Sequence, residues 1–396
     1  MTNKPRPDCV TGMGFNYLAA GGAQHPNHIG WIYGGYTGRF ASTAANYRTA
    51  RQFNAQFILK MSDLWGADGT QGSNAPYPGD NGNWADYDKF LAQFVSDIKA
   101  NGMTSNIKLL PWNEPDLTTF WNRREFQIVQ CLEVDDADGA SILAIGQYLD
   151  TWVRTVNYLR SNLAGVPIGG PSMAFQPSSG NTWWTSFMSR IKSSNTAPDV
   201  YTWHHETSIT DPLNDLQSSQ PNMVNLINSY GLPMREFILD EYGTYDEQNP
   251  SSSAWWIARL ERYNMSGMRG NWLSRGQLHD FLASLLGKAD VNNWAGTGYY
   301  SNGEWLVYNY YATQMTGYRV ATTGSTNRLM DSYAVVGNRV VRILVGARQT
   351  TGTYTLQIRN LSALGLPSSG NMAVRTRQFN WSGKFGRQDS PQDLGT

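Results

Sequence analysis

Short apolar runs alternate with longer amphipathic segments over most of this chain, and this alternation constrains its fold more than any other feature. Residues 55–61 form one such run, and residues 107–111 form the next. Between them, apolar residues recur at helical spacing, at Phe90, Leu91, Phe94, Val95 and Ile98. Two parallel strands need a crossover connection, which is usually a helix. The sequence therefore predicts an α/β fold of repeated strand–helix units.

The alternation continues to about residue 320. The predicted strands are Thr11–Leu18, Ala55–Met61, Ile107–Pro111, Val166–Gly169, Val200–His204, Glu236–Leu239 and Met268–Trp272. The predicted helices are Ala45–Phe53, Tyr87–Ala100, Ile142–Leu163, Asn181–Lys192, Met223–Tyr230, Ser253–Asn264, Leu278–Leu286 and Trp305–Met315. We interpret these units as a (β/α)8 TIM barrel within residues 1–320.

A different pattern begins after residue 320. Tyr333–Arg348 places a Gly-Asn turn between two β-branched runs, which is typical of a β-hairpin. Thr353–Leu364 alternates with a period of two, which predicts a further strand. We expect residues 321–396 to form a small antiparallel β-domain, a β-sandwich.

The charge balance argues against two classes of partner. The 31 basic and 31 acidic side chains cancel, so there is no electrostatic reason to expect binding to nucleic acid or to an anionic membrane. Aromatic residues make up 13% of the chain, with 15 Trp and 21 Tyr. Such rings suit flat, half-apolar ligands such as sugars, although a large aromatic core explains the same composition.

Two cysteines, Cys9 and Cys131, are too few for a disulfide framework or a Cys-rich zinc site. They either form one bridge or stay free. The first residues lack the apolar core of a signal peptide, and no run approaches the roughly 18 apolar residues of a membrane helix. The low charge and the abundance of Gly, Asn, Ser and Trp favour a secreted protein, with no leader in this chain. We expect it to act as a monomer.

The motif with the clearest chemical meaning is Trp112-Asn113-Glu114-Pro115. It directly follows an apolar strand, and strand ends of this kind open onto the active-site face of a barrel. Pro115 stops the chain from continuing as a helix. Cleavage of a glycosidic bond needs one carboxylic acid to protonate the leaving oxygen and a second carboxylate across the sugar.

Glu241 is the candidate for the second carboxylate. It ends the apolar run that starts at Glu236, and Tyr242 and Gly243 follow it. Asp240 is a rival one position away, and strand alternation allows only one of the two to face the barrel mouth.

These motifs resemble those of glycoside hydrolase clan A. Its members are retaining (β/α)8 enzymes with an acid/base glutamate at strand four and a nucleophile glutamate at strand seven. The TWHHE run, Thr202–Glu206, is similar to the TWHHY run on strand six of heparanase-type enzymes in family 79. The WNEPD segment and the trailing β-domain also resemble families 39 and 30.

The resemblance implies a role for each matching residue. Glu114 is the acid/base, Glu241 is the nucleophile, and Asn113 contacts the 2-hydroxyl of the sugar. One of His204 and His205 contacts the substrate.

The sequence departs from the heparanase-type pattern at one position. Those enzymes follow the two histidines with a tyrosine that hydrogen-bonds the nucleophile, and here Glu206 takes its place. A third carboxylate near Glu241 would raise a pKa by like-charge repulsion unless it points away. Tyr242 is the candidate that could supply the missing hydroxyl.

The clan pattern also requires three strands before the Glu114 motif. Thr11–Leu18 and Ala55–Met61 are two of them, and Ile29–Gly35 is the candidate for the third. Either the chain lacks an N-terminal segment or one strand is hidden in the pattern.

Four further residues are candidates for substrate contact. Three tryptophans could form sugar platforms, although core packing accounts for them as well: Trp65, Trp112 and Trp272. Asn16 lies on the first predicted strand. The charged segment Asn122–Gly139 faintly suggests calcium, but the ligand spacing of a calcium loop is missing, so we interpret it as a solvated loop.

The sequence therefore predicts a retaining glycoside hydrolase acting on plant or microbial polysaccharides or oligosaccharides. No phosphate-binding loop, dinucleotide fingerprint or HExxH motif occurs, and we expect no metal or organic cofactor. Two alternatives remain open. One is a catalytically inactive barrel that binds carbohydrate, and the other is a transglycosylase that uses the same glutamate pair.

Overall fold

The computed structural model describes residues 12–22, 29–123, 138–270, 283–290, 292–293, 297–337, 340–365 and 369–396, with residues 138–144 as backbone. Several predictions concern residues outside these ranges. They are Cys9, Cys131, Trp272 and most of the charged segment that includes Asp135 and Asp136.

Consecutive strands lie side by side in the order in which the chain forms them. They are β1 Tyr17–Ala19, β2 Gln56–Lys60, β3 Ile107–Leu110, β4 Gly169–Met173, β5 Val200–His205, β6 Glu236–Tyr242 and β7 Ser266–Arg269. The pairs β1–β2, β2–β3, β4–β5 and β5–β6 are parallel, and a parallel bridge from Leu109 to Ile168 joins β3 to β4. The predicted α/β fold with parallel strands is confirmed, and the carboxyl ends of β1 to β6 share one edge.

Helices connect these strands. They are α1 Tyr36–Gln52, α2 Met61–Trp65, α3 Ala85–Ala100, α4 Asp138–Asn162, α5 Thr182–Ser193, α6 Leu216–Ser229 and α7 Pro250–Tyr263, followed by α8 Gly303–Gln314. The helix α6 starts seven residues before the prediction, because the Asp215 side chain accepts a hydrogen bond from the Gln217 backbone and caps it, while Pro221 lies inside it. Across the described residues, none of the helices combines the length and apolarity that crossing a membrane requires.

Three sequence predictions are wrong in detail. Ile29–Gly35 contains a short 3-10 helix, Trp31–Tyr33, in place of a strand, because Gly30 and Gly34 adopt positive φ angles that break an extended run. Leu286 starts a strand rather than ending a helix. Thr353–Leu364 contains no strand and ends in a 3-10 helix, since no neighbouring strand pairs with it.

Two compact units can be distinguished by their packing. One contains Asn16–Tyr242 and Met265–Met268, and the other contains Gly243–Asn264 with the described residues that precede Asn16 and those from Arg269 onward. This division differs from the boundary predicted at residue 320.

The second unit is rich in antiparallel strands. Its largest sheet contains β10 Tyr318–Val320, β11 Met330–Gly337 and β12 Val340–Ala347, so the predicted hairpin is confirmed. Two smaller pairs join β8 Leu286–Lys288 to β9 Tyr299–Ser301 and β13 Thr376–Gln378 to β14 Gln392–Gly395. Helix α7 packs on the largest sheet through Ala254, Ile257 and Ala258. The arrangement of these sheets as a β-sandwich stays a prediction.

One apolar cluster lies between strands of the first unit. It brings together Ile58 of β2, Leu110 of β3, Val200 of β5 and Ile238 of β6, all nearly inaccessible to solvent. Burial of each such side chain contributes roughly 1.5–3 kcal/mol relative to an exposed one. The cluster therefore holds the strands that carry the polar strand ends described below.

We expect Ile58→Ala to lower the free energy of unfolding by roughly 2–5 kcal/mol, because a cavity replaces a fully buried side chain. Ile29→Ala, at a position that is 39% exposed, is the matched control and should lose clearly less. Chemical denaturation of both variants measures the difference. Equal losses would mean that the cluster is not a stabilising core.

Candidate active site

Titratable side chains meet at the carboxyl edge of the parallel strands. Lys60 ends β2, Glu114 follows β3 by four positions, and Glu206 directly follows β5. Glu241 is the penultimate residue of β6. Parallel strands in chain order bring these positions together although they are far apart in sequence.

The turn after β3 holds Glu114 in an unusual backbone conformation. Its φ angle is +44°, a region that non-glycine residues seldom occupy. The Glu114 backbone N–H donates to the Ser172 carbonyl at 2.8 Å, and its own carbonyl accepts from the Leu117 N–H at 3.0 Å. Surrounding contacts thus impose a strained backbone conformation on Glu114. Strained backbone of this kind clusters at functional sites.

Asp116 ties this turn to the residues after β4, a role that the sequence analysis did not predict. Its carboxylate accepts hydrogen bonds from the backbone N–H groups of Ala174 at 2.9 Å and Phe175 at 3.0 Å. Burial raises the pKa of Asp116 to about 6 despite these bonds. Asp116 therefore positions the turn that carries Glu114.

The imidazole of His204 lies between both predicted catalytic glutamates and is fully buried. Its Nδ1 is 2.9 Å from Glu114 Oε1, and its Nε2 is 3.9 Å from Glu241 Oε1. Asp240 Oδ2 lies 3.4 Å from the same Nε2. Burial alone lowers the pKa of His204, but the charges of Asp240 and Glu241 and its hydrogen-bond partners raise it well above its usual value. His204 therefore carries a proton at neutral pH and donates one hydrogen bond to Glu114.

Lys60 pairs with Glu241 and also donates a hydrogen bond to Asn113 Oδ1 at 2.6 Å. Burial lowers the pKa of Lys60, but the charges of Glu241 and Asp240 outweigh this effect and raise it. Lys60 thus places a positive charge beside the Glu241 carboxylate. Lys60 was not among the residues predicted from the sequence, although a charged residue that ends the apolar run QFIL is the signal that could have identified it.

Asp240 and Glu241 do not separate as simple alternation predicts. The register of β5 and β6 shifts between Trp203 and His204, so that His204 pairs with Glu241. Both carboxylates consequently lie near His204. They differ in accessibility, because Asp240 is completely buried while the side chain of Glu241 is 21% exposed and can meet a ligand.

Glu206 also lies within this group. Burial is the largest cause that raises its pKa, followed by the charge of Glu241, and the pKa reaches about 9 even though His204 lowers it. Glu206 therefore remains protonated at neutral pH.

Glu114, His204 and Glu206 each offer one ligand atom, and these atoms lie within 4.8 Å of one another. A divalent cation could bridge such a set only if its ligands were deprotonated. The raised pKa values of His204 and Glu206 oppose that state at neutral pH. Binding of a cation there would therefore release protons from His204 and Glu206.

His205 lies apart from this group. Its Nδ1 is 3.0 Å from Asn214 Oδ1, and its Nε2 is 2.8 Å from Ser219 Oγ of α6. Tyr242 is buried and pairs in register with His205, so alternation places it on the same face of the sheet. Of the two histidines, His204 is the one that reaches the carboxylates.

The remaining candidates also lie elsewhere. Trp65 and Trp112 are buried, donate hydrogen bonds to the carbonyls of Pro76 and Phe120, and pack edge-on against other aromatic rings. The core interpretation therefore accounts for both. Asn16 is exposed just before β1, at the amino end of the strand and so at the edge opposite the carboxylates.

No protein-family model matches this chain, and no curated protein matches it. Solved structures do match. The structure of N2152 from Neocallimastix frontalis is 21% identical at a TM-score of 0.68, covering 98% of this chain and 84% of that one. A glucosidase from Croceicoccus marinus is 13% identical at a TM-score of 0.55, covering 87% and 73%.

The chain shares the fold of these two structures, one of which is a glucosidase. The resemblance to clan A is thereby confirmed at the level of the fold. The finer resemblance to families 39, 30 and 79 stays a prediction. In this hydrolase-like fold, the described strands that lead to Glu114 and Glu241 are β3 and β6, so they keep the separation of three strands that the clan pattern implies.

We expect Lys60→Met to lower the free energy of unfolding by about 3–5 kcal/mol, because Glu241 would lose its buried cation. The double variant Lys60→Met/Glu241→Gln should recover more than half of that loss. Denaturation of wild type, both single variants and the double variant gives the coupling energy.

Lys108→Met is the matched control, since Lys108 is also buried but its ion-pair partner Glu236 is 42% exposed at 3.6 Å. Water can solvate Glu236, so losing the Lys108–Glu236 ion pair should contribute little to the loss in free energy of unfolding. A coupling energy near zero for the Lys60–Glu241 pair would contradict the assigned ion pair.

Proposed function

We propose that the protein is a retaining glycoside hydrolase on a (β/α)8 barrel, with Glu241 as nucleophile and Glu114 as general acid/base. The observation that carries the proposal is the single imidazole of His204, which contacts both glutamates at the carboxyl edge of the strands. Retaining glycosidases need two carboxyl groups close together across the scissile bond, about 5–5.5 Å apart.

The pairing of each glutamate supports a different role. Lys60 pairs with Glu241, so a cation lies beside the proposed nucleophile. His204 presents a proton to Glu114 Oε1 across a 2.9 Å hydrogen bond. Transfer of this proton from His204 to Glu114 would make Glu114 an acid that can protonate a leaving oxygen.

The reaction then proceeds in two displacements. A carboxylate oxygen of Glu241 attacks the anomeric carbon, and the bond to the leaving oxygen breaks while that oxygen takes a proton from Glu114. Water next gives a proton to Glu114 and attacks the same carbon, which releases Glu241. Two inversions give net retention.

Asn113 supports binding of the sugar. It is buried, and its Oδ1 accepts a hydrogen bond from Lys60, which fixes the orientation of the amide. Its Nδ2 can then donate to the sugar 2-hydroxyl, a contact that strengthens in the transition state. The substrate class we propose is an O-glycoside of plant or microbial polysaccharides or oligosaccharides.

A catalytically inactive carbohydrate-binding protein is the second candidate. The ion pairs that hold both glutamates favour it, because a salt bridge to Lys60 lowers the nucleophilicity of Glu241. It predicts sugar binding without turnover. A transglycosylase would use the same glutamate pair and differ only in the acceptor.

With a panel of aryl glycosides, wild-type protein should release the aglycone from at least one, and NMR should first show the product anomer of the substrate's own configuration. Glu241→Gln should abolish this turnover while circular dichroism stays unchanged. Asp240→Asn is the matched control and should retain measurable turnover. If Asp240→Asn abolished turnover while Glu241→Gln retained it, Asp240 would be the nucleophile. A first product of inverted anomeric configuration would refute double displacement.

Glu114→Ala should slow glycosides with poor leaving groups by about 10²–10⁴-fold, because they need protonation of the departing oxygen. Activated aryl glycosides should slow far less in the first displacement. Pre-steady-state release of the aglycone measures this step for both substrate classes. If both classes slow equally, Glu114 is not the general acid.

A further inference from the structure

Glu206 is a carboxyl group of the site to which the proposed mechanism gives no task. It directly follows β5 at the carboxyl edge, next to His204 in space. Its Oε1 is buried and has no hydrogen-bond partner within the described ranges. Buried polar atoms are seldom left unpaired, so this one needs an explanation.

The charges that face Glu206 come from four strands. Glu241 of β6 and Glu114 after β3 are negative, while His204 of β5 and Lys60 of β2 are positive. Both cations are already engaged, Lys60 with Asn113 and Glu241, and His204 with Glu114. A negative Glu206 would therefore lack a cation of its own, so it carries its proton at neutral pH.

A protonated carboxyl is a hydrogen-bond donor, and this one has no acceptor among the described protein groups for its buried oxygen. One of its carboxyl oxygens lies within 4.8 Å of a carboxyl oxygen of Glu114. Glu206 as a whole is only partly buried, so a sugar bound between Glu114 and Glu241 could bring hydroxyl and ether oxygens to the exposed part of its side chain. Pairing with one of them would remove the cost of the unpaired group.

We propose that Glu206 is a substrate-binding residue that donates a hydrogen bond from its carboxylic acid to an uncharged oxygen of the bound sugar. This inference rests on the proposed function and extends it to a residue that departs from the heparanase-type pattern. It also makes substrate binding sensitive to alkaline pH.

The direction of the pH effect follows from the raised pKa. Below about pH 9, Glu206 is neutral and donates its proton. Above that pH it becomes an anion beside Glu241 and Glu114, and it can no longer donate to the sugar. The KM for an uncharged aryl glycoside should therefore rise above about pH 9.

Two variants distinguish hydrogen-bond donation by Glu206 from the packing of its side chain. Glu206→Gln keeps a donor at every pH, so its KM should stay within about threefold of wild type at pH 7 and should not rise above pH 9. Glu206→Met has a similar length and no donor, so its KM should be about tenfold higher at pH 7, as expected for one lost hydrogen bond. In both variants kcat should change less than KM.

A wild-type KM for Glu206→Met, or an unchanged alkaline rise in Glu206→Gln, would overturn the inference. The proposed function fails in a different way: wild-type protein would then cleave none of the glycosides. In that event, the dissociation constants of the same glycosides are measured by calorimetry. They should change in the two variants and with pH as described for KM. Absence of any binding would overturn both proposals.

The proton on Glu206 can be observed without substrate. Infrared spectra of the free protein should show a carbonyl band of a protonated carboxyl at neutral pH, and this band should weaken above about pH 9. Glu206→Gln should lack that pH-dependent band. A spectrum identical to that of wild type would show that Glu206 is already ionised, which contradicts the inference whatever the enzyme activity.

Discussion

The buried imidazole of His204 is the interaction on which the active-site edge depends. It contacts carboxylates that come from the turn after β3 and from β6, while its own strand, β5, lies between β4 and β6. A buried imidazolium needs carboxylate partners, because an isolated charge that is removed from water costs much free energy. In return, His204 holds Glu114 and Glu241 at fixed positions relative to one another.

Charge balance then distributes the protons of the site. Lys60 and His204 supply the positive charges, and Asp240, Glu114 and Glu241 share them. Among the described residues, Glu206 is the carboxyl of this group without a cation of its own, and burial and like charge raise its pKa. The same network that prepares a nucleophile and an acid/base thus creates a neutral donor beside them.

The motif residues can be recognised in the sequence, whereas their partners cannot. Glu114, Asn113, His204 and Glu241 were recognisable because each stands near the carboxyl end of an apolar strand in a characteristic run. Lys60 was missed because its partner Glu241 is 181 positions away, and no local pattern connects them. Trp65 and Trp112 remained ambiguous because aromatic residues suit a core as well as a sugar, and only packing distinguishes the two.

The sequence by itself determined the α/β class, the order of strands β1 to β7, and the strand ends that carry polar residues, because periodicity and strand-end motifs are local. Only the tertiary structure decided which of His204 and His205 meets the carboxylates, that Asp240 and Glu241 both approach one imidazole, and that Glu206 has no cation of its own among the described residues. The physical reason is that these outcomes depend on register and burial. A shift of one residue between β5 and β6 changes which side chains face each other, and electrostatic interactions across strands then set their charge.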